Sequence, residues 1–247
     1  MNLFDDTIQK LRAFLGEKKD AGELREIGTG ETLWPPGERG NIVLASDTGV
    51  ELGNPRSESA SFMIWTGKED QVQDGRINLI GPDINESKGG SLPFGKAVIF
   101  GVRGMDENNC YERHRQMDMA RYNLNLKGYM MRAVSQYMRE WSRVSNEAVE
   151  KGFSFAVLAG ALSSIYKAID FVDSVEYIFV TSSSEDVKLM AEKGARVERL
   201  IGAMNKMATE MAFDCGSCDY TDICSEVEGL RNMRGKLSGE EASYGTQ

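Results

Sequence analysis

Three of the four cysteines fall within ten residues, at Cys215, Cys218 and Cys224. This C-x2-C-x5-C spacing lets one short loop turn three thiolates toward a common point, and Gly216 permits the tight turn that the loop requires. The fourth cysteine, Cys110, lies more than a hundred residues upstream. Iron–sulfur clusters require soft thiolate ligands. The four cysteines are therefore predicted to hold one metal centre, a [4Fe-4S] cluster.

Other chemistry fits the same cysteines. Zinc binds four cysteines, or three cysteines and a histidine. His114, the only histidine of the chain, follows Cys110 by four residues, so the two would share a helix face. Cys215 and Cys218 are also suitably spaced for a dithiol redox pair. In the remaining alternative the clustered cysteines are free and Cys110 is simply buried, as isolated cysteines often are. The spacing leaves all of these open.

Composition limits the setting in which this chemistry operates. The chain has 247 residues and a formal net charge of −9. Nucleic acids and anionic membranes are therefore not expected as partners, because both require a basic face. No apolar run approaches the ~20 residues needed to cross a bilayer, and the acidic N-terminus lacks the order of a signal peptide. We expect a cytoplasmic protein whose cysteines serve metal or redox chemistry rather than disulfides.

Hydrophobic periodicity predicts an α+β fold, with a β-rich N-terminal half packed against a helical C-terminal half. The first half contains one amphipathic helix and then short strands separated by turn signals. The second half is predicted to be helical, apart from one strand, and its longest helix leads into the cysteine loop. The predicted helices cover residues 3–18, 109–126, 129–144, 146–151, 155–169, 184–211 and 226–234, and the predicted strands cover 41–45, 50–52, 61–66, 77–80, 96–102 and 175–180.

These elements divide the chain into three parts. Residues 1–40 are predicted to form an N-terminal helix and loop, and residues 41–234 a single α+β domain that includes the cysteine loop at 212–226. The tail at 235–247 is rich in glycine, serine and acidic residues, so we expect it to be disordered. The cysteine loop thus belongs to the main domain and not to a separate module.

Several segments in the middle of the chain carry a family pattern. They are Val50-Glu51-Leu52-Gly53-Asn54, Asp74-Gly75-Arg76-Ile77, Ile80-Gly81-Pro82-Asp83-Ile84, Leu92-Pro93-Phe94-Gly95, the run at 141–153 and the strand at 175–181. In order and spacing, over roughly residues 50–190, they resemble a middle portion of the acetyl-CoA synthase (carbon monoxide dehydrogenase β-subunit) family. The resemblance implies the α+β fold of that portion and an anaerobic, one-carbon setting.

The resemblance also bears on the cysteines. In that family the next segment leads into the cysteines that hold the cubane of a nickel-containing cluster. Cys215 and Cys218 stand where the first C-x2-C pair would fall, and Cys224 comes early for the third ligand. The sequence has no Cys-Gly-Cys, which in the family holds the distal nickel. The resemblance therefore implies a stand-alone homologue of the middle region without the nickel-binding catalytic domain, acting as an iron–sulfur electron-transfer or docking subunit beside the catalytic subunits of an anaerobic complex.

A group of arginines at 113–143 has a second implied role. Arginines of the comparable region are suggested to help hold coenzyme A in the family, and a cation cluster suits the phosphates of that ligand. The resemblance thus implies a coenzyme A contact at Arg132, Arg139 and Arg143, although the tryptophan of the family pattern is replaced within 130–132. The alternative is a solvated helix face. The whole group comprises Arg113, Arg115, Arg121, Arg132, Arg139 and Arg143.

The same cysteine spacing with a remote fourth cysteine also occurs in iron-stapled nucleases of the RecB type. Those enzymes bind Mg²⁺ with an aspartate and a Glu/Asp-x-Lys motif on adjacent strands. Asp83 and Lys96 are the nearest match here, but Phe94 stands where the second acidic residue is needed. Together with the net negative charge, this departure argues against a nuclease.

Overall fold

A computed structural model describes residues 3–29, 33–38, 41–135, 138–209, 215 and 217–237, with the backbone alone at 133–135 and 236–237. Within these ranges the fold is α+β and contains two mixed sheets. The helices are α1 (Asp5–Asp20), α2 (Cys110–Ala120), α3 (Asn146–Glu150), α4 (Phe155–Tyr166), α5 (Ser184–Thr209), α6 (Thr221–Glu226) and α7 (Glu228–Leu237). The strands are β1 (Leu24–Gly28), β2 (Thr48–Leu52), β3 (Ser59–Thr66), β4 (Arg76–Ile80), β5 (Gly90–Leu92), β6 (Phe94–Val102), β7 (Tyr129–Ser135), β8 (Arg139–Ser145) and β9 (Val172–Val180). Among the helices of these ranges, none is long and apolar enough to cross a membrane.

The larger sheet has the strand order β1-β4-β9-β6-β3, with β4 parallel to β9 and β3 parallel to β6. Its central strands are buried along almost their whole length, as expected of strands covered on both faces. Helix α4 covers one face, where Phe155 stacks on Phe94 and Phe179 with ring centroids 6.0 and 4.4 Å away. This aromatic stack is the centre of the core on that side of the sheet.

Helix α5 covers the opposite face of the same sheet at close range. Glycine makes this approach possible at two positions, because a Cβ atom at Gly95 would lie 2.7 Å from the sulfur of Met190 and one at Gly194 would lie 2.9 Å from the ring of Phe62. Val187 and Val197 of α5 are both completely buried. Since α5 is anchored to the sheet in this way, the residues of its last turns are held in a fixed position relative to the core.

The smaller sheet has the order β5-β2-β8-β7 and meets the larger one where β8 passes β3. The Ser61 amide donates a hydrogen bond to the Met138 carbonyl at 2.5 Å, and the Ser59 hydroxyl donates to the Glu140 carbonyl at 2.7 Å. Below this junction Lys96 of β6 forms an ion pair with the Glu140 carboxylate, and both side chains are buried. A charged contact therefore joins the two sheets.

The predicted helix at 129–144 is wrong, because these residues form the antiparallel pair β7 and β8. Met138, with φ of 52°, precedes β8, and 136–137 lie outside the described residues. Along β8, Glu140 and Ser142 point inward, whereas Trp141 and Arg143 are only half-buried. Two inward positions are thus polar, so the alternation of apolar and polar residues that marks a half-buried strand is missing, and the methionine-rich sequence favours a helix locally.

The division into a β-rich first half and a helical second half is also wrong, because β7, β8 and β9 from the second half complete both sheets. The predicted strand at 41–45 is not formed, and a 3-10 turn at Ala45–Asp47 lies there instead. Strands β1 and β5 were not predicted. The predicted tail begins too early, since 235–237 belong to α7, while 238–247 lie outside the described residues. Predictions for α1, α4, α5, the remaining strands and the Ser145-capped helix α3 are confirmed within a few residues.

The buried ion pair gives a stability prediction. Glu140 keeps its charge because attraction to Lys96 and hydrogen bonds outweigh the burial that disfavours it, and its pKa is lowered. Lys96→Met leaves that carboxylate without its counter-ion, so we expect the free energy of unfolding to fall by roughly 3–5 kcal/mol. Chemical denaturation monitored by circular dichroism measures the change.

The matched control for this prediction is the double variant Lys96→Met/Glu140→Gln. It removes both charges. The hydroxyls of Ser61 and Ser142 bond different oxygens of the carboxylate, at 3.2 and 3.4 Å, and glutamine keeps an acceptor for one of them. It should recover most of the lost stability, because the unpaired buried charge is gone. Equal destabilisation of the single and double variants would show that packing, and not charge pairing, is what Lys96 contributes.

Candidate metal centre

Thr221, the first residue of α6, is hydrogen-bonded to Cys215 and Cys218, which precede it. Its hydroxyl donates to the carbonyl oxygens of Cys215 at 2.6 Å and of Cys218 at 2.9 Å. Its amide also donates to the Cys218 carbonyl, at 3.2 Å. Cys224 lies one turn further along α6. One threonine therefore fastens the turn that carries the first two cysteines to the helix that carries the third.

Cys215, Cys218 and Cys224 line a common cavity of about 20 Å³. Cys224 is buried, and the other two are half-buried. Helices α5 and α7 also supply lining residues, so the cavity is bordered by three helices and the cysteine turn. The remaining lining residues are Ala203, Lys206, Met207, Tyr220, Thr221 and Arg234. The structure thus brings together the three cysteines whose spacing predicts a shared site.

The cavity influences the ionisation of its buried cysteine. Burial raises the pKa of the Cys224 thiol, and the neighbouring Cys218 and Cys215 raise it further, whereas Arg234 acts in the opposite direction. A bound metal ion would replace the thiol proton and so offset the raised pKa, because thiolate is the form that binds metals. Arg234 favours the same ionised form.

Cys110 does not line this cavity. It is completely buried, and its sulfur lies 3.8 Å from the sulfur of Met204 and 3.8 Å from that of Met233. Burial raises the pKa of the Cys110 thiol to about 11. Met204 and Met233 adjoin the cavity-lining residues Ala203 and Arg234 in sequence, so Cys110 belongs to the sulfur-rich layer of the core beside the cavity.

His114 also lies away from the cavity. It is buried, with its ring 5.3 Å from that of Trp65, and burial together with Arg121 lowers its pKa to about 4. Across the described part of the chain, no group of three or more histidine, cysteine, aspartate or glutamate side chains is arranged to coordinate a metal ion. Of the predicted loop at 212–226, residues 212–214 and 216 lie outside that part. The cysteines share a cavity but do not form a closed coordination sphere.

The three arginines of the predicted coenzyme A contact share a surface, although the predicted helix is absent. Arg139, Trp141 and Arg143 alternate along β8, and therefore project from one face of the smaller sheet. Arg132 lies in the bulged part of β7, and its guanidinium carbon is 5.0 Å from the centroid of the Trp141 ring, while that of Arg143 is 5.4 Å away. Arg143 also donates to Glu51 at 2.7 Å. We call Arg132, Arg139, Trp141 and Arg143 the arginine face.

The other arginines of the predicted group have local partners. Arg113 donates to the Arg103 and Gly104 carbonyls at 3.0 and 2.6 Å, and Arg115 lies 3.7 Å from Glu112. Arg121 is buried and paired with Asp118 at 2.5 Å. These three arginines stabilise α2 and its surroundings.

The two residues considered for a nuclease site are both engaged in the fold. Asp83 caps two segments, since its Oδ1 accepts the amides of Ile84 at 2.6 Å and Phe155 at 2.8 Å. Lys96 forms the buried ion pair with Glu140. Neither side chain is available to bind Mg²⁺, in agreement with the missing acidic residue of the motif.

Sequence reasoning missed the residues around the cysteines. Thr221 precedes no apolar run that would mark it as the start of a helix. Lys206 and Arg234 belong to predicted helices, but nothing in the sequence indicated that these two side chains lie near the cysteines. The polar threonine three residues before Cys224 was the available signal for Thr221, because threonine commonly begins helices. For Lys206 and Arg234 no local signal exists, since only the packing of α7 on α5 brings them to one cavity.

Comparison with known sequences identifies the family of this two-sheet α+β chain. Residues 35–187 match the family described as the CO dehydrogenase/acetyl-CoA synthase complex beta subunit. The chain belongs to this family, which confirms the resemblance inferred from its segments.

Individual relatives show how much of the family protein the chain represents. It is 28% identical to the acetyl-CoA decarbonylase/synthase complex subunit beta of Archaeoglobus fulgidus, over 84% of the chain and 40% of the relative. The subunit beta of Methanopyrus kandleri is 27% identical, over 84% of the chain and 45% of the relative. The carbon monoxide dehydrogenase/acetyl-CoA synthase subunit alpha of Moorella thermoacetica is 27% identical, over 74% of the chain and 25% of the relative. The chain thus spans less than half the length of these relatives.

The contact between Tyr220 and α5 gives a prediction about the cavity. A Cβ atom at Gly202 would lie 2.6 Å from the Tyr220 hydroxyl and 2.8 Å from its ring, so Gly202→Ala must displace this part of the cavity wall. We expect Cys224 to become accessible and to react with iodoacetamide severalfold faster, as measured by peptide mass spectrometry. Gly16→Ala is the control, because a Cβ atom at this helical glycine meets nothing within 4 Å. An unchanged rate in Gly202→Ala would show that the position of Tyr220 does not limit access to Cys224.

Proposed function

We propose that this chain is an accessory subunit of an anaerobic enzyme complex of the CO dehydrogenase/acetyl-CoA synthase type, in which Cys215, Cys218 and Cys224 hold a metal centre. The observation that carries the proposal is the convergence of these cysteines on one cavity. The names of the relatives add support, because they describe subunits of acetyl-CoA decarbonylase/synthase complexes. The role follows from both: a subunit that works beside catalytic partners and uses its centre for electron transfer or docking.

The donor set suits a thiolate-bound centre. Cys224 supplies a ligand from a fixed helix, and Cys215 and Cys218 supply two from a half-buried turn that Thr221 fastens. A [4Fe-4S] cluster bound there would supply one-electron transfer. The cavity of about 20 Å³ has room for one water-sized group. We therefore expect the turn, which is the exposed part of the wall, to move outward when the larger cluster binds.

The fourth ligand is the open part of this proposal. Cys110 is the candidate from sequence, and its sulfur lies beside Met204 and Met233 in the layer next to the cavity. For Cys110 to join the other three, these methionine side chains must change rotamer, which their flexible thioether chains allow. The cost of ionising a buried thiol would be met by the metal–sulfur bond.

A zinc-stapled interaction module is the second candidate, and the small size of the cavity favours it. A single ion needs less space than a cluster, so a smaller rearrangement of the turn would bring the thiolates onto it. Zinc would then fasten α6 and the cysteine turn to α5 and α7, and the module would bind its catalytic partner without electron transfer. The two candidates differ in metal content and in colour.

Metal analysis separates these candidates. We expect anaerobically purified protein to contain iron and acid-labile sulfide in equal amounts and to show a broad visible absorbance that dithionite bleaches. Cys218→Ser should lose most of the metal, whereas Ser217→Ala, an exposed neighbour in the same turn, should retain it. One zinc per chain and a colourless solution would replace the cluster by the zinc module. Protein without either metal would refute the metal centre.

Cys110→Ser identifies the fourth ligand in the same assay. If Cys110 is a ligand, the variant loses iron or zinc to a similar extent as Cys218→Ser. If it retains the metal, Cys110 is a core residue and the fourth position is filled by another group. Thermal unfolding of the variant distinguishes loss of the ligand from loss of the fold.

The arginine face favours an additional candidate function, the binding of a coenzyme A thioester. Arg132 and Arg143 lie over the Trp141 ring, and Arg139 lies on the same face of β8, an arrangement suited to phosphates and a base. Arg132→Ala should weaken coenzyme A binding by roughly tenfold or more, the loss expected for one charged hydrogen bond. Isothermal titration calorimetry measures it, with Arg115→Ala of α2 as the control. Absence of binding to the unmodified protein would end this candidate.

A further inference from the structure

Two cations line the cysteine cavity together with the three sulfurs. Lys206 comes from α5 and Arg234 from α7, whereas the cysteines come from the turn and from α6. Arg234 is half-buried, one residue after the buried Met233. A charge in such a position acts more strongly on its neighbours than one in water, because the surrounding dielectric constant is lower.

The acidic residues of α6 are engaged elsewhere. Asp222 pairs with Arg199 at 2.5 Å and Glu226 with Arg196 at 2.8 Å, both along α5. These pairs fasten α6 to α5. None of the four residues lines the cavity, although the charge of Asp222 is close enough to raise the pKa of the Cys224 thiol, after the larger effect of burial. Among the residues described, the charged side chains on the cavity wall are Lys206 and Arg234.

The charge balance of a bound centre explains why cations belong there. Three thiolates carry more negative charge than one divalent metal ion compensates, so the site is net negative whether it holds zinc or an iron–sulfur cluster. A net negative group that is partly removed from water needs a counter-charge close by. Groups in this outer layer commonly alter metal affinity by about 10–100-fold when they are removed.

We propose that Arg234, assisted by Lys206, supplies the counter-charge that stabilises a thiolate-bound metal in the Cys215–Cys218–Cys224 cavity. The inference rests on the proposed metal centre and adds a residue that determines its affinity and, for an iron–sulfur cluster, its reduction potential. Arg234 is a positioning residue: it acts on the thiolates through its charge and is not itself a ligand. Loss of this charge destabilises the more negative, reduced form, so the potential becomes more negative.

Co(II) provides a test that works with either native metal, because tetrahedral thiolate coordination gives intense charge-transfer bands. The full-length chain is stripped of metal anaerobically, titrated with Co(II), and its affinity is measured by competition with a chelator. We expect Arg234→Gln to bind Co(II) roughly tenfold more weakly than the unmodified chain. Arg234→Lys retains the charge and should bind within about threefold of the unmodified chain, given that the effect is electrostatic.

The control is Arg231→Gln, which removes an exposed arginine of the same helix that does not line the cavity, and it should leave the affinity unchanged. Thermal unfolding confirms that each variant folds. Unchanged affinity in Arg234→Gln would overturn the inference, as would equal weakening in Arg234→Lys, which would indicate packing and not charge. If the unmodified chain binds no Co(II), the proposed metal centre itself fails. If the unmodified chain binds Co(II) but Arg234→Gln and Arg234→Lys have the same affinity as each other, only the inference about Arg234 fails. For an iron-containing protein, a more negative midpoint potential in Arg234→Gln gives an independent check.

Discussion

The ion pair between Lys96 and Glu140 is the contact on which the relation between the two sheets depends. A charge that is buried must remain paired, because an isolated ion in the interior is far more costly than an exposed one. The Glu140 carboxylate also accepts hydrogen bonds from Ser61 and Ser142, and the Ser142 hydroxyl lies 3.0 Å from that of Tyr129. The result is a polar cluster that fixes β8 against β3 and β6. Hydrogen bonds and an ion pair have a defined geometry, so this cluster favours one position of β8 relative to β3 and β6, whereas an apolar contact is less directional.

This constraint determines what the smaller sheet presents to solvent. Because Glu140 and Ser142 must point inward, the residues between and beside them, Arg139, Trp141 and Arg143, must point outward. The arginine face is thus a consequence of the same register that buries the ion pair. A one-residue shift of β8 would bury two arginines and expose the glutamate, so the register is strongly specified.

Helix α5 connects the core of the fold to the cysteine cavity. Its first half lies close against the larger sheet through Gly194 and Gly95, and its last turns supply part of the cavity wall. Ion pairs from Arg196 and Arg199 hold α6 against it. A metal bound to the cysteines would therefore be connected to the core through one continuous helix.

The sequence alone determined the family, the α+β class, most of the helices and the grouping of three cysteines, because these depend on short-range spacing and on local periodicity. The hydrogen bonds of the Thr221 hydroxyl were not predicted, since its partners are backbone carbonyls, which carry no sequence signal. Only the tertiary structure decided that 129–144 is a pair of strands. The inward position at Glu140 is polar because its carboxylate pairs with Lys96, a residue more than thirty positions earlier in the chain. It also placed Cys110 and His114 in the core and Arg234 on the cavity wall. Spacing specifies how near two residues of one loop can come, but contacts between distant segments are specified by packing, and packing is a property of the whole fold.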